Sequence, residues 1–376
     1  MKSNINRQGF YRSIFSLWLS VIYIAALVLL FGVGAEAIAQ TGTYTIIDPP
    51  NEVNTYPLQI NAAGDVVGYY IDTLNHYHGY KWSSSVFTII NAPGSIDTYT
   101  YGINDSGDIA GYYSDAGGTH GFKWNNGAFT IIDAPGAPGT VSTYPSEIND
   151  LGDVAGGYLD GRFHGFKWSN GVFTVINAPG PEFRDTFVKG INNAGDVVGY
   201  YSGNGTHGFK WNNNVFTTID APGSVETYTS GINTVGDAVG YYNDVGNHLH
   251  GYKWSNGVFT TIDAPGSTDT VANRINNSGD VVGGYYNGSR NLGFKLSSGG
   301  FTIINPPGSV LTSAYSINNA GDIVGRYQDA SNRFHGFKFT TGNVLTATVQ
   351  TNPTGRSFTV DGVTYNSYTF QLEIMQ

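Results

Sequence analysis

The sequence predicts an all-β protein: a seven-bladed β-propeller of four-stranded repeats, with a short C-terminal β tail. Three observations carry this. The segment Ile-Asn-x-x-Gly-Asp occurs seven times, starting at Ile60, Ile103, Ile148, Ile191, Ile232, Ile275 and Ile317. The spacings are 43, 45, 43, 41, 43 and 42 residues, and about 40–45 residues is the length of one propeller blade. Each period also holds four β-rich runs divided by turn residues, and no stretch after residue 40 shows the 3.6-residue period of a helix.

The second repeat shows the pattern. Thr98 to Ile103 is rich in β-formers and reads as the first strand. Asn104-Asp105-Ser106-Gly107 is a turn, with Gly where a left-handed backbone is needed. Asp108 to Tyr113 is the second strand, Ser114 to Thr119 a polar loop, and His120 to Trp124 the third strand. Asn125-Asn126-Gly127 is a hairpin turn of the Asn-Gly kind, and Ala128 to Ile132 is the fourth strand. Pro135 cannot donate to a ladder and marks the exit toward the next repeat. Seven such units bury their apolar faces only against one another, and a closed ring does so without open ends. An open β-solenoid is the rival architecture, but it needs capping repeats.

The strand count predicts how the ring closes. Strands one to three occur seven times, and strand four occurs eight times. The extra copies are Thr43 to Ile47, ahead of the first repeat, and Val344 to Thr348, after the last. The first matches the other copies better and is followed by Asp48-Pro49-Pro50, so it is expected to complete the last blade. The propeller is thus assigned to residues 40–349. Residues 350–376 form a tail too short for its own core, resembling the opening strands of a truncated β-sandwich module.

Residues 1–39 read as a signal peptide. Lys2, Arg7 and Arg12 precede an apolar run, and Ala37-Ile38-Ala39 is a small-x-small cleavage site before Gln40. The apolar run is long, and an uncleaved membrane anchor is the alternative. Either way the expected location is secreted, extracellular or periplasmic, with no membrane attachment after cleavage. The formal net charge is −10, which argues against nucleic acid as a partner, since that needs a basic footprint. The chain has no cysteine, which removes disulfides, thiolate metal sites and cysteine nucleophiles.

In the segments Gly-Ile-Asn-x-x-Gly-Asp-x-Val-Gly and His-Gly-Phe-Lys-Trp-x-Asn-Gly, the chain resembles the HAF family of bacterial extracellular repeat proteins. The likeness covers roughly residues 43 to 340. One departure is Gly121, Gly165 and Gly208, which stand where that family carries Ala. The resemblance implies export and a propeller-like repeat, with no catalytic residues to carry over.

Candidate sites were weighed against packing roles. His78, His120, His164, His207, His250 and His335 fill one position in six repeats, with Leu292 in the seventh. A residue present in nearly every blade is most simply part of the blade, so these histidines read as structural and no metal site is assigned. The acids Asp65, Asp108, Asp153, Asp196, Asp237, Asp280 and Asp322 follow the first turn and read as turn residues, since a calcium loop needs more oxygen ligands from one segment. The tyrosine pairs on strand two, such as Tyr69-Tyr70 and Tyr112-Tyr113, read as packing, with sugar stacking as the alternative.

Departures from the repeat point elsewhere. Four residues before each Ile stand Tyr56, Tyr99, Tyr144, Phe187, Tyr228, Val271 and Ser313. Directly before the Ile stand Gln59, Gly102, Glu147, Gly190, Gly231, Arg274 and Ser316, a set whose changing charge suits a channel lining. Lys189 also breaks the pattern. The candidate ligand-binding residues are therefore Tyr56, Tyr99, Tyr144, Phe187, Tyr228, Glu147, Lys189 and Arg274. The strand two–three loops and the Pro-Gly connections should share one rim, and that rim is expected to be the interaction face.

No Gly-x-Ser-x-Gly elbow, His-Glu-x-x-His or phosphate loop is present. The expected function is a secreted, non-catalytic, monomeric binding or scaffold module without a cofactor. Its expected partner is a glycan or a cell-envelope protein. The alternative is an extracellular propeller hydrolase or lyase acting on polysaccharide.

Overall fold

Alternating β-branched and aromatic residues, broken by Gly and Asn turns, fold each repeat into one antiparallel sheet. The computed structural model describes residues 42–136, 141–180, 184–298 and 300–341, and the backbone of strands 344–350, 358–360, 363–365 and 367–373. The described residues contain no helix. Seven four-stranded sheets run in sequence order and form a seven-bladed β-propeller. The first blade holds Glu52–Ile60, Val66–Asp72, Tyr77–Ser83 and Val86–Ile90, from the inner strand outward. The second holds Asp97–Ile103, Ile109–Asp115, Gly118–Asn125 and Ala128–Ile132. The signal-peptide assignment, residues 1–39, lies outside the described residues, as do residues 351–357 of the tail.

The last blade takes Leu311–Ile317, Ile323–Gln328 and Phe334–Thr341 from the C-terminal side of the ring and Gly42–Ile47 from the N-terminal side. The register runs from Gly42 opposite Thr341 to Ile47 opposite Gly336. Val344–Gln350, the other copy of the fourth strand, pairs instead with Ser367–Glu373 in the tail.

The hydrophobic core lies between blades. One cluster joins Ala155 and Ile176 of the third blade to Val188, Val197, Phe209 and Trp211 of the fourth. Another joins Ile47 and Val324 of the last blade to Ile60, Tyr80 and Trp82 of the first, so the same packing runs across the chain ends. Tyr44 packs into the neighbouring cluster, and its hydroxyl accepts a hydrogen bond from the backbone of Asn305 in the sixth blade at 2.8 Å.

Every inner strand carries a bulge two residues before its Ile. The glycine of the Val-Gly motif explains how the sheet tolerates it. At Gly111 a Cβ would overlap the carbonyl oxygen of Tyr99, and the same overlap recurs at Gly68, Gly156, Gly199, Gly240, Gly283 and Gly325. Gly121 is packed as closely, since a Cβ there would press on Ile132 and on Pro145 of the next blade.

Candidate functional site

The inner strands enclose a central channel, and its two ends differ in chemistry. The lower rim carries the Asn-x-x-Gly and Asn-Gly turns. The upper rim carries the strand two–three loops and the connections between blades.

At the lower mouth the seven repeat asparagines form a continuous ring. The side-chain amide of Asn61 donates to the carbonyl of Asn104, Asn104 to Asn149, Asn149 to Asn192, Asn192 to Asn233, Asn233 to Asn276, Asn276 to Asn318, and Asn318 back to Asn61, at 2.9–3.2 Å. Each Oδ1 accepts the backbone N–H four residues on, as Asn104 does from Asp108 at 2.8 Å. The acid ending each turn meets the lysine of the third strand: Lys123 lies 2.7 Å from Asp108, and the same pair recurs in all seven blades. Burial opposes ionisation of Asp108, but the bonds from Lys123 and Asn125 outweigh it and hold its pKa below the usual carboxylate value.

Inside this ring the channel is crossed by side chains. Arg274 of the sixth blade lies 2.6 Å from Glu147 of the third, and its guanidinium also donates to the carbonyl of Ser230. Gln59 of the first blade donates to the other Glu147 oxygen and accepts from the backbone of Ile103 at 2.6 Å. Burial raises the pKa of the Glu147 carboxyl, and Arg274 and Gln59 pull it back without cancelling the rise. These residues floor a basin of about 160 Å³ that opens at the lower mouth.

Above the floor lies an aromatic belt. In four blades the residue four before the Ile faces the first tyrosine of the strand-two pair, while Tyr144 of the third blade faces Gly157. Tyr56 stacks on Tyr69 at 4.9 Å, Tyr99 on Tyr112 at 4.8 Å, Phe187 on Tyr200 at 5.0 Å, and Tyr228 on Tyr241 at 4.8 Å. Edge contacts link one blade to the next: Tyr69 to Tyr99, Tyr112 to Tyr144, and Tyr200 to Tyr228. All are half-buried. Burial raises the pKa of Tyr56, Tyr69, Tyr99, Tyr200 and Tyr228, and lifts Tyr112 and Tyr241 to about 12, so these hydroxyls are donors at neutral pH. The belt breaks at Val271 and Ser313, where Gly284 and Arg326 replace the second ring. The Arg326 guanidinium caps the break, 4.9 Å from the Tyr56 ring centroid and 4.3 Å from that of Phe334.

The histidines sit outside the channel, one in each of six blades, with Leu292 in the same place in the sixth. Each stacks on the second tyrosine of the pair, as His164 does on Tyr158 at 4.7 Å. Each also bonds the Asp or Asn that follows the fourth strand: His120 to Asp133 at 2.9 Å, His335 to Asp48 at 2.7 Å. Among the described residues no group of three or more His, Asp or Glu is placed to hold a metal ion.

The candidate residues therefore fall into two layers. Tyr56, Tyr99, Tyr144, Phe187 and Tyr228 come together in the belt. Glu147 and Arg274 come together at the lower floor, away from the loops above. Lys189 joins neither pair; it is the bulge residue of its strand, and its ammonium lies 5.6 Å from the Tyr200 ring centroid. Sequence reading missed that the first tyrosine of each pair belongs to the belt, together with Tyr77, Phe163 and Phe334. The signal was strand alternation: the two tyrosines must face opposite sides, and only one can meet the histidine.

No protein-family model and no curated protein matches the chain. Solved structures do. A puromycin-hydrolyzing peptidase of Mycobacterium tuberculosis is similar at a TM-score of 0.56 and 8% identity, over 80% of this chain and 54% of that one. The acylaminoacyl peptidase of Pyrococcus horikoshii is similar at 0.51 and 11% identity, over 84% and 57%. The chain thus spans little more than half of either peptidase, and at such identities the likeness is one of fold. The lectin of Aleuria aurantia, in complex with Fucalpha1-6GlcNAc, is similar at 0.37 and 13% identity, over 69% of this chain and 100% of that one; a score this low carries no argument. Fold and site together define a seven-bladed β-propeller with an aromatic-belted channel closed by side chains at its lower end.

Proposed function

We propose that the chain is an exported, non-catalytic binding module of the HAF kind, and that its upper rim takes a glycan. The aromatic belt carries this reading. Half-buried rings that are already stacked lose little freedom on binding, and their faces suit the apolar faces of sugar rings. Their protonated hydroxyls, with the loop carboxylates Asp72, Asp115 and Asp244, supply donors and acceptors for sugar hydroxyls. Glu147, the acid of the channel floor, is bonded to Arg274 and to Gln59, which supports a scaffold over a polysaccharide hydrolase or lyase. The N-terminal sequence and the family resemblance support an extracellular or periplasmic location.

The test is a glycan array probed with the full chain, followed by Tyr99→Ala and Tyr228→Ala. Binding to a defined glycan, weakened at least about tenfold by either change, is expected for stacking contacts. Binding that survives both changes and maps to the Asn-Gly turns would place the site on the other rim. Capture of an envelope protein with no glycan bound would replace the ligand class.

A further inference from the structure

Both ring nitrogens of a histidine donate only when the imidazole is protonated; a neutral ring has one donor and one acceptor. The partners of the blade histidines divide them on this rule. In the second, fifth and seventh blades both nitrogens face carboxylates. His120 lies 2.9 Å from Asp133 through Nδ1 and 3.4 Å from Asp115 through Nε2. His250 lies 3.0 Å from Asp263 and 3.5 Å from Asp244, and His335 lies 2.7 Å from Asp48 and 3.3 Å from Asp329. In the first and third blades an amide replaces one carboxylate. Nδ1 of His78 meets Asn91 at 3.1 Å and that of His164 meets Asn177 at 2.8 Å, while Nε2 meets Asp72 and Asp160. A flipped asparagine amide offers an N–H in place of its oxygen, so a neutral ring satisfies both partners there. Between two carboxylates it cannot: the nitrogen without a proton sets its lone pair against an anion.

The two carboxylates stand on different pieces of chain. Asp133, Asp263 and Asp48 follow the fourth strand of their blade, whereas Asp115, Asp244 and Asp329 stand at the start of the strand two–three loop. The loop acids also fold their loops. Asp244 accepts the backbone N–H groups of Gly246 and His248 through Oδ1 and meets His250 through Oδ2. Asp329 engages Ser331, Arg333 and His335 in the same way. In all three blades the loop contact is the longer of the two, so it is the one that a lost proton releases. The other groups against these rings are Tyr113, Tyr242 and Tyr327, stacked on them at 5.2, 5.1 and 5.0 Å. His335 alone also feels Arg333 and Glu52, which are paired with each other.

We propose that His120, His250 and His335 are proton-operated latches of the upper rim. Protonated, each fastens its strand two–three loop to the chain that leaves the fourth strand; neutral, it keeps the second contact and lets the loop go. In the seventh blade the latch also joins the two ends of the chain, because Asp48 follows the closing strand. Burial lowers each imidazole pKa, but the flanking acids outweigh it and raise it. The latches are therefore closed in mildly acidic solution and open as pH rises through the folded value. The inference stands apart from the glycan reading, because it concerns the order of the loops, whatever they bind.

The experiment is hydrogen exchange on the full chain from mildly acidic to mildly alkaline pH, corrected for the intrinsic amide rate and read on loop peptides without ligand. Protection of the loops after Asp115, Asp244 and Asp329 should fall about fivefold as pH rises, as for one partly exposed ion pair. The loops after Asp72 and Asp160 should show no such step. Asp263→Asn gives His250 the partners found in the first blade, and should keep its loop protected at every pH. Asn91→Asp should create a step in the first blade. Protection independent of pH in the three loops, an equal step in the first and third blades, or a step that survives Asp263→Asn overturns the proposal.

Discussion

The side-chain amide of Asn318 donates to the backbone carbonyl of Asn61 at 3.0 Å, across 257 positions of sequence. This bond is the seventh of a ring whose other six join blades that are neighbours along the chain. It makes the junction of the chain ends equivalent, at the lower rim, to every other blade boundary.

The asparagine ring predicts the cost of breaking it. Asn104 is buried and satisfies both Asn149 and the N–H of Asp108. Asn104→Ala should destabilise by about 2–3 kcal/mol, the cost of losing buried partners, whereas Ser106→Ala in the same exposed turn should change stability by less than about 0.5 kcal/mol. Urea unfolding of both variants checks this; equal effects would remove the ring from the account of stability.

A second cost is steric. Gly111→Ala forces a methyl group onto the Tyr99 carbonyl, and should destabilise by about 3 kcal/mol through overpacking. Thermal unfolding reads it out, and an unchanged melting temperature would show that the inner strands are not held as close as described.

The channel floor should behave as a coupled set. Glu147→Ala leaves Arg274 beside a buried void and should cost about 3–5 kcal/mol, as for a broken buried pair. Replacing both with leucine should cost much less, because no charge is then stranded. Equal losses in the single and double variants would mean that the two residues do not act together.

Stability should depend on pH from both sides. At His120, His250 and His335 burial pulls the imidazole pKa down, but the flanking acids, led by Asp133, Asp263 and Asp48, outweigh it and raise it above the ordinary 6.5. A raised folded pKa means that the contribution is fully present below the unfolded value and is lost as pH rises through the folded one. The repeat acids Asp108, Asp153, Asp196 and Asp237 are lowered below 3.8, so their contribution is present above that value and is lost as pH falls through the folded one. Melting temperature should therefore be highest in mildly acidic solution and fall on both sides. His335→Gln should flatten the alkaline side; a curve identical to the parent's would exclude the Asp48 contact as a source of it.

Fold and ring closure were legible in sequence because each blade repeats its own turn and packing residues. The Ile-Asn-x-x-Gly-Asp spacing gives the blade, and the eighth copy of the fourth strand gives the clasp. The site was half legible. Tyr56, Tyr99, Tyr144, Phe187 and Tyr228 stood out at one position per repeat. The convergence of Gln59, Glu147 and Arg274 did not, because they come from three blades and meet only across the channel. The bulge that turns Lys189 into the lumen was also hidden, since one extra residue leaves the repeat length unchanged.

The closed ring rests on Gly42–Ile47 completing the last blade, and the absence of native cysteine allows a direct measurement. Thr43 and Thr340 are exposed register partners, within the Cα separation that a disulfide spans. The variant carrying Thr43→Cys and Thr340→Cys should form an intramolecular disulfide in nearly all molecules under mild oxidation, and melt at a higher temperature than its reduced form. A folded protein in which both thiols remain free would contradict this closure and point to Val344–Gln350 as the strand that completes the last blade.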